Sequence, residues 1–259
     1  MGTFLFHEII FGPVNSRRLG ISLGINLLPE NSKLCNFNCV YCECGWTPED
    51  SFVKKQFQPR EKVRLALIEK LSVMKNNGEK LDVITFAGNG EPTLHPDFAG
   101  VIDDTLLARN TYYPKARVAV LSNATRLNSD SVFNALHKVD DNILKLDSAR
   151  TQTISLINCP NKDYNKEEVI ANFMKFKGNF ILQTMFVKGH FKDHDFDNTT
   201  EYEVESWIEI IRKTKPKMVM IYTIARDTPL NHIEKISLGK LNEIARKVEL
   251  AGFKTSVSG

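Results

Sequence analysis

Three cysteines, Cys35, Cys39 and Cys42, stand close together in Cys35-Asn36-Phe37-Asn38-Cys39-Val40-Tyr41-Cys42. Cys44 follows two residues later, and Cys159 completes the set of five. A disulfide framework spreads its cysteines and belongs to secreted chains, so this crowding points to metal. Thiolates neutralise iron's charge and match its softness, and they are the usual ligands of iron–sulfur clusters. Three thiolates on a four-iron cluster leave one iron open to a cofactor or substrate. A structural zinc site is the alternative on the residues alone, with Cys44 as fourth ligand. Zinc more often takes two separated pairs, and Cys42-x-Cys44 is a cramped spacing. Ordinary buried cysteines rarely cluster so densely.

The elements that must position these thiols alternate strand and helix. Six short apolar runs read as strands: Leu19–Leu28, Leu81–Ala87, Arg117–Ser122, Asn142–Asp147, Phe180–Val187 and Lys217–Ile224. Several are apolar on both faces, as parallel strands covered by helices are. Between them, Pro59 opens a helix with the stripe Val63, Leu67, Leu71 and Met74, and Gly78 stops it. Asn165 with Glu168 caps a helix burying Ile170, Phe173 and Met174. Val204, Trp207, Ile208 and Ile211 form a third stripe, closed by Pro216. Ser237 caps a last helix carrying Leu241, Ile244, Ala245 and Val248.

The expectation is an α/β fold, a partial (β/α)6 TIM-like barrel, because six units fall short of the eight of a closed barrel. One domain spans residues 1–259, with an N-terminal segment (1–18), a barrel core (19–228) and a C-terminal helix and tail (229–259). Chemistry in such folds gathers at the carboxyl ends of the strands, where the cysteines lie. The net charge of +3 neither requires nor excludes nucleic acid. No stretch approaches the roughly 20 apolar residues of a membrane helix. The apolar start carries His7 and Glu8 without a basic lead-in, unlike a signal peptide, so a cytoplasmic location is expected.

The spacing C-x-x-x-C-x-aromatic-C after a first strand resembles the radical S-adenosylmethionine (SAM) superfamily. After the second strand, Gly88-Asn89-Gly90-Glu91-Pro92 is similar to its glycine–glycine–glutamate motif. A strand end with free carbonyls and a carboxylate suits an ammonium group. Phe11-Gly12-Pro13-Val14, Ser16 to Gly20, Ser22 to Asn26 and Gly90 to Pro96 narrow the resemblance. They are similar to a little-characterised iron–sulfur oxidoreductase branch grouped with the wybutosine-forming tRNA enzymes. Those enzymes carry a second cluster on further cysteines. Cys44 and Cys159 are too few for one, so wybutosine chemistry is not carried over.

The resemblance implies a [4Fe–4S] cluster on Cys35, Cys39 and Cys42. It implies SAM bound near Tyr41, Gly88, Asn89, Gly90 and Glu91, with Asn123 and the strand-end Asp147 as further cofactor contacts. Gln183 is a candidate polar contact on the fifth strand. Lys145 shares a face with Asp147 and Ile143. It reads either as a salt bridge to Asp147 or Glu91, or as a catalytic clamp or Schiff-base lysine. Arg17 and Arg18 read as a solvated pair or as ligands for a substrate phosphate or carboxylate. His190 and His194 fall in a polar loop at the barrel mouth. Tyr222 and Ile224 end the sixth strand, where the superfamily packs adenine.

The implied reaction is reductive SAM cleavage to a 5′-deoxyadenosyl radical that abstracts hydrogen from a tRNA base, small metabolite or peptide. Flavodoxin or ferredoxin is the expected external reductant. The alternative is a non-catalytic iron–sulfur or zinc protein serving as redox sensor or electron carrier, which would have no use for an ammonium clamp.

Overall fold

A computed structural model describes residues 4–49 and 57–259. Residues 1–3 of the apolar start lie outside them. Strand β1 (Ile10–Ser16) turns back antiparallel onto β2 (Gly20–Ile25). Helix and strand then alternate: α1 (Arg60–Asn76) to β3 (Val83–Phe86), α2 (Phe98–Tyr112) to β4 (Arg117–Ser122), and α3 (Asp130–Lys138) to β5 (Asp141–Lys145). Two helices, α4 (Thr151–Ile157) and α5 (Lys166–Lys175), precede β6 (Ile181–Met185). A hairpin of β7 (Val187–Phe191) and β8 (His194–Asp197) comes before α6 (Glu201–Thr214) and β9 (Met218–Tyr222). The short β10 (Glu234–Lys235) joins the hairpin, and α7 (Leu238–Leu250) leads to β11 (Thr255–Ser258).

The main sheet has the order β1-β2-β3-β4-β5-β6-β9-β11, and every neighbouring pair except β1–β2 is parallel. Its edges, β1 and β11, do not pair with each other, so the barrel is partial and open-sided. The six expected strands are β2 to β6 and β9. The strand expected over Asn142–Asp147 is shorter: β5 ends at Lys145, which leaves Asp147 in the loop just beyond it.

Two strands of the main sheet lie outside the expected barrel core. β11 falls in residues read as a tail, where Thr255-Ser256-Val257-Ser258 carries one apolar residue and is half-buried at the sheet edge. The continuous apolar run that marks a covered parallel strand is missing there. β1 contains Pro13, tolerated because this is an edge strand with an irregular register between Phe11 and Val14. The polar stretch around His190 and His194 is a β-hairpin rather than a loop. Lys192 and Asp193 supply the two positive φ angles, 51° and 59°, that a tight hairpin turn requires.

Alternate residues of the strands serve two cores. The outward set packs on the helices, where the stripe Val63, Leu67, Leu71 and Met74 of α1 is buried as expected. Met174 is the exception and is exposed. The 100° step of a helix carries it off the face formed by Val169, Ile170 and Phe173. The inward set, Val83, Ala119, Ile143, Ile181 and Met220, converges with Leu19 and plugs the lumen. The carboxyl ends of the strands stand above this plug.

Candidate functional site

The cysteine loop is docked at both ends. Leu34 pairs with Gly90 in a short parallel bridge, with Leu34 N donating to Asn89 O (2.8 Å) and Glu91 N to Leu34 O (3.1 Å). Gly90 has φ 138°, and a Cβ there would stand 1.9 Å from Leu34 O, so a side chain cannot occupy this position. Farther along, Asn38 N donates to Asn158 O (2.9 Å) and Val40 N to Ile157 O (2.9 Å), tying the loop to the end of α4. The fold thereby joins the cysteine motif to the glycine motif directly.

Lys33, unremarked in the sequence, is buried beneath this loop, its ammonium donating to Gly45 O (2.9 Å). Burial alone would lower its pKa, but the Cys42, Cys35 and Cys39 sulfurs together hold it above the ordinary lysine value. Burial pushes the Cys35 and Cys39 thiols up. The neighbouring Cys44, whose Sγ donates to Gly88 O (3.5 Å), and the Lys33 cation hold the Cys42 thiol below its ordinary value against the cost of burial. Nothing in a lysine two residues before a cysteine distinguishes it from a solvated one.

Glu91 is buried and held by four donors. Its Oε1 accepts from Thr93 N (3.1 Å), Thr93 Oγ1 (2.5 Å) and Ser122 Oγ (2.9 Å), and its Oε2 accepts from Asn123 N (2.7 Å). A carboxylate offers about four lone-pair sites, two per oxygen. Oε1 is fully subscribed, whereas Oε2 has one donor and an open lone pair. Burial raises the Glu91 pKa, and the donors from Asn123 and Thr93 pull it back. Asn123 also reaches the cysteine loop, donating from Nδ2 to Asn36 Oδ1 (2.7 Å) and lying 3.7 Å from Cys35 Sγ. Asn89 faces elsewhere: its side chain donates to Phe6 O and Pro29 O and accepts from Phe6 N. Its amide fastens the N-terminal segment, leaving its backbone for the site. Gly88 packs against Asn26, whose Oδ1 accepts from Asn89 N (3.1 Å).

Across the mouth, Asp147 is a hub. Its carboxylate accepts from the Tyr41 hydroxyl, from Asn158 Nδ2 (2.6 Å) and from Met185 N (2.9 Å). Lys145 Nζ lies 3.5 Å from Asp147 Oδ1 and donates to the Tyr41 (2.9 Å) and Tyr222 (3.1 Å) hydroxyls. Burial disfavours its charge, but Asp147, followed by Tyr222, outweighs that and holds its pKa above the ordinary value. Lys145 is therefore a protonated, ion-paired group. Of its two expected partners the structure supplies Asp147 and not Glu91. Gln183 donates from Nε2 to the Tyr222 hydroxyl (2.6 Å). Asn158, also unremarked in the sequence, links this network to Cys39 Sγ (3.4 Å). Behind it, buried Glu203 accepts from Ser148 Oγ (2.6 Å) and Thr153 Oγ1 and braces the loop that carries Asp147.

Residues 32–202 match the Radical SAM superfamily. The chain belongs to that superfamily. Among relatives of this radical SAM protein, a UPF0026 protein of Methanocaldococcus jannaschii is 29% identical over 240 residues, covering 91% of this chain and 70% of that one. A UPF0026 protein of Synechocystis is 30% identical over 227 residues, covering 85% and 77%. A protein named GTPase Obg from Brachyspira hyodysenteriae is 31% identical over 223 residues; these cover 85% of this chain and 30% of that much longer one. A solved radical SAM methyltransferase from Sphaerobacter thermophilus shares the fold with TM-score 0.67, at 14% identity and coverage of 92% and 66%. Archaeal TYW1 shares it with TM-score 0.53, at 11% identity and coverage of 88% and 71%.

The cofactors of this radical SAM enzyme are a [4Fe–4S] cluster and SAM, and the residues present fit both. Cys35, Cys39 and Cys42 share one buried environment around the Lys33 cation, which offsets thiolate charge. Among the described residues, no three Cys, His, Asp or Glu side chains converge tightly enough to grip a single ion. The open lone pair of Glu91 Oε2 fits an ammonium group beside the cysteine loop. No described helix is long and apolar enough to cross a membrane.

Proposed function

We propose that this chain cleaves SAM reductively and uses the product to take a hydrogen atom from a substrate held in the barrel, acting as an oxidoreductase or transferase. The bound cluster and SAM supply that chemistry as a 5′-deoxyadenosyl radical, given one electron from an external donor such as flavodoxin or ferredoxin. The chain's residues bind and orient. Cys35, Cys39 and Cys42 hold the cluster, and Glu91 Oε2 receives the methionine ammonium. Asn123 fixes Glu91 relative to Cys35. Tyr41, Asp147 and Asn158 hold the far side of the cysteine loop and deny water a place at Cys39. Lys145 is a positioning cation of this network, since its pairing with Asp147 leaves no free amine for a Schiff base.

One observation carries the reading. Glu91 is fixed by four donors, bonded through Asn123 to the cysteine loop, and has an acceptor site left open. An electron carrier or sensor needs no such clamp. Anaerobic reconstitution is expected to load about four irons per chain. Reduction with SAM is then expected to release 5′-deoxyadenosine, and its absence from fully loaded, reduced protein would refute the proposal. A cytoplasmic setting, where reductants of this kind operate, is part of the same reading.

A further inference from the structure

Arg18 leaves the turn between β1 and β2 and crosses the open side of the barrel. Its guanidinium carbon lies 4.3 Å from the centroid of the Tyr222 ring on β9. It thus bridges from the β1–β2 turn to β9, held over the ring by cation–π attraction. Its Nη1 is shielded from solvent, yet it has no hydrogen-bond partner among the described residues. A guanidinium carries five donors and cannot shed its charge. A buried donor left unpaired forfeits its hydration without a replacement, so this group needs an explanation.

Its two arginine neighbours are engaged. Arg17 donates to Gly259 O (3.1 Å), and Arg226 pairs with Glu43 (2.6 Å). At the other end of Tyr222, the hydroxyl takes Lys145 and the Gln183 amide, and Gln183, itself 5% exposed, has its Oε1 unpartnered as well. An orphan donor and an orphan acceptor therefore flank the same tyrosine. A small recess lined by Arg18, Tyr41 and Tyr222 connects this place to the cysteine loop. Beside it, a cleft of about 1170 Å³ opens into the lumen past Ser22 and Thr85. Four basic side chains and two carboxylates line that cleft, and Glu43 is already neutralised by Arg226.

We propose that the lumen holds the substrate of this enzyme by an oxyanion, a carboxylate or a phosphate, received on the free edge of Arg18 where it lies on Tyr222. The planar fork of arginine pairs bidentately with either group. The cation–π contact with Tyr222 holds it in place in advance, and Gln183 Oε1 remains available to a donor on the same molecule. The inference rests on the proposed radical reaction for its purpose, but the site is tested by binding alone.

The test uses anaerobically reconstituted protein at low ionic strength, titrated separately with inorganic phosphate and with acetate. Wild type is expected to bind at least one probe, and the preferred probe tells a phosphoester substrate from a carboxylic acid. Arg18→Gln is expected to weaken that binding at least about tenfold, the loss of one charged hydrogen-bonded contact. Arg18→Lys keeps the charge without the fork and is expected to fall between them. It also serves if the glutamine variant fails to load iron. Arg64→Gln, on the exposed face of α1 and paired with Glu61, is the control expected to bind as wild type. Arg18 variants that bind both probes as wild type does, or a wild type that binds neither, would overturn the site. 5′-Deoxyadenosine release is scored on the same wild-type preparation. Its failure with Arg18-dependent binding intact counts against the reaction and not against the site.

Discussion

Replacing Glu91 with Gln tests the ammonium clamp at a known geometry. The amide keeps one oxygen, which is best placed against Thr93 N, Thr93 Oγ1 and Ser122 Oγ, where three donors converge. Its NH2 then faces Asn123 N, which lies 2.7 Å from Oε2 in the native protein. Two donors meet, and a buried N–H loses its acceptor at a cost of about 1–3 kcal/mol. The three surviving bonds weaken as they change from charged to neutral acceptors. Relief from burying a carboxylate offsets part of this. A net destabilisation of about 1–3 kcal/mol corresponds to a melting temperature lower by roughly 2–6 °C for a chain of this size. The ligand effect is separate. The open lone pair of Oε2 is replaced by a donor, so a charged contact worth about 1.5–3 kcal/mol disappears, and SAM affinity is expected to drop roughly 10- to 150-fold. Equilibrium SAM binding to anaerobically reconstituted protein measures this at matched iron content, because Glu91 ligates no iron. A variant with full iron that binds SAM within threefold of wild type would refute the clamp.

The same variant carries a pH signature. Burial holds the Glu91 pKa above its ordinary value, so on raising the pH the unfolded chain releases this proton before the folded one. The associated stability is present below the ordinary pKa of about 4.3 and declines as pH climbs towards the native value. Glutamine has no such decline, so the stability deficit of Glu91→Gln should shrink between pH 4 and pH 7; a deficit that grows would contradict the assignment. Gly90→Ala places a Cβ against Leu34 O in a φ region costly to side chains, and iron per chain after reconstitution should fall with the Leu34–Gly90 bridge. Lys33→Met removes a cation facing three sulfurs, which should lower the cluster's midpoint potential by on the order of 100 mV in a spectroscopically monitored titration; an unchanged potential would remove Lys33 from the cluster's surroundings. Asp147→Asn leaves Lys145 buried beside no counter-charge, a loss of about 3–5 kcal/mol in denaturant unfolding, and adding Lys145→Met should recover part of it.

Local signals were enough for much of this protein. The apolar runs of β2 to β6 and β9 are covered on both faces, so continuous hydrophobicity revealed them. The caps at Asn165 and Ser237 act on their own helices, accepting from Glu168 N (3.0 Å) and Lys240 N (3.2 Å). The β7–β8 hairpin is not legible because only Val187 and Phe196 of its strands are buried, too few to form an apolar run, and its turn places Lys192, a residue without a preference for it, at positive φ before Asp193. β11 escaped because an edge strand needs only its partner's backbone, which no side-chain pattern records.

The site divides along the same line. Cys35, Cys39, Cys42 and Glu91 were legible because ligand spacing and a strand-end carboxylate are properties of short segments. Their assembly was not. The bridge from Leu34 to Gly90 and the bond from Asn123 to Glu91 join segments that only chain folding brings together. The burial of Lys33 under the thiols and the enclosure of Asp147 by Tyr41, Asn158 and Lys145 arise in the same way. Asn89 shows the difference most directly, since its motif position suggested a cofactor contact while its side chain secures Phe6 and Pro29. By itself the sequence determined which atoms can bind iron and an ammonium group, for that is fixed by residue type and short spacing. The tertiary structure alone decided which polar groups are satisfied and which remain open, because hydrogen-bond partners are shared across strands distant in sequence. The open lone pair on Glu91 and the unpaired edge of Arg18 follow from that sharing.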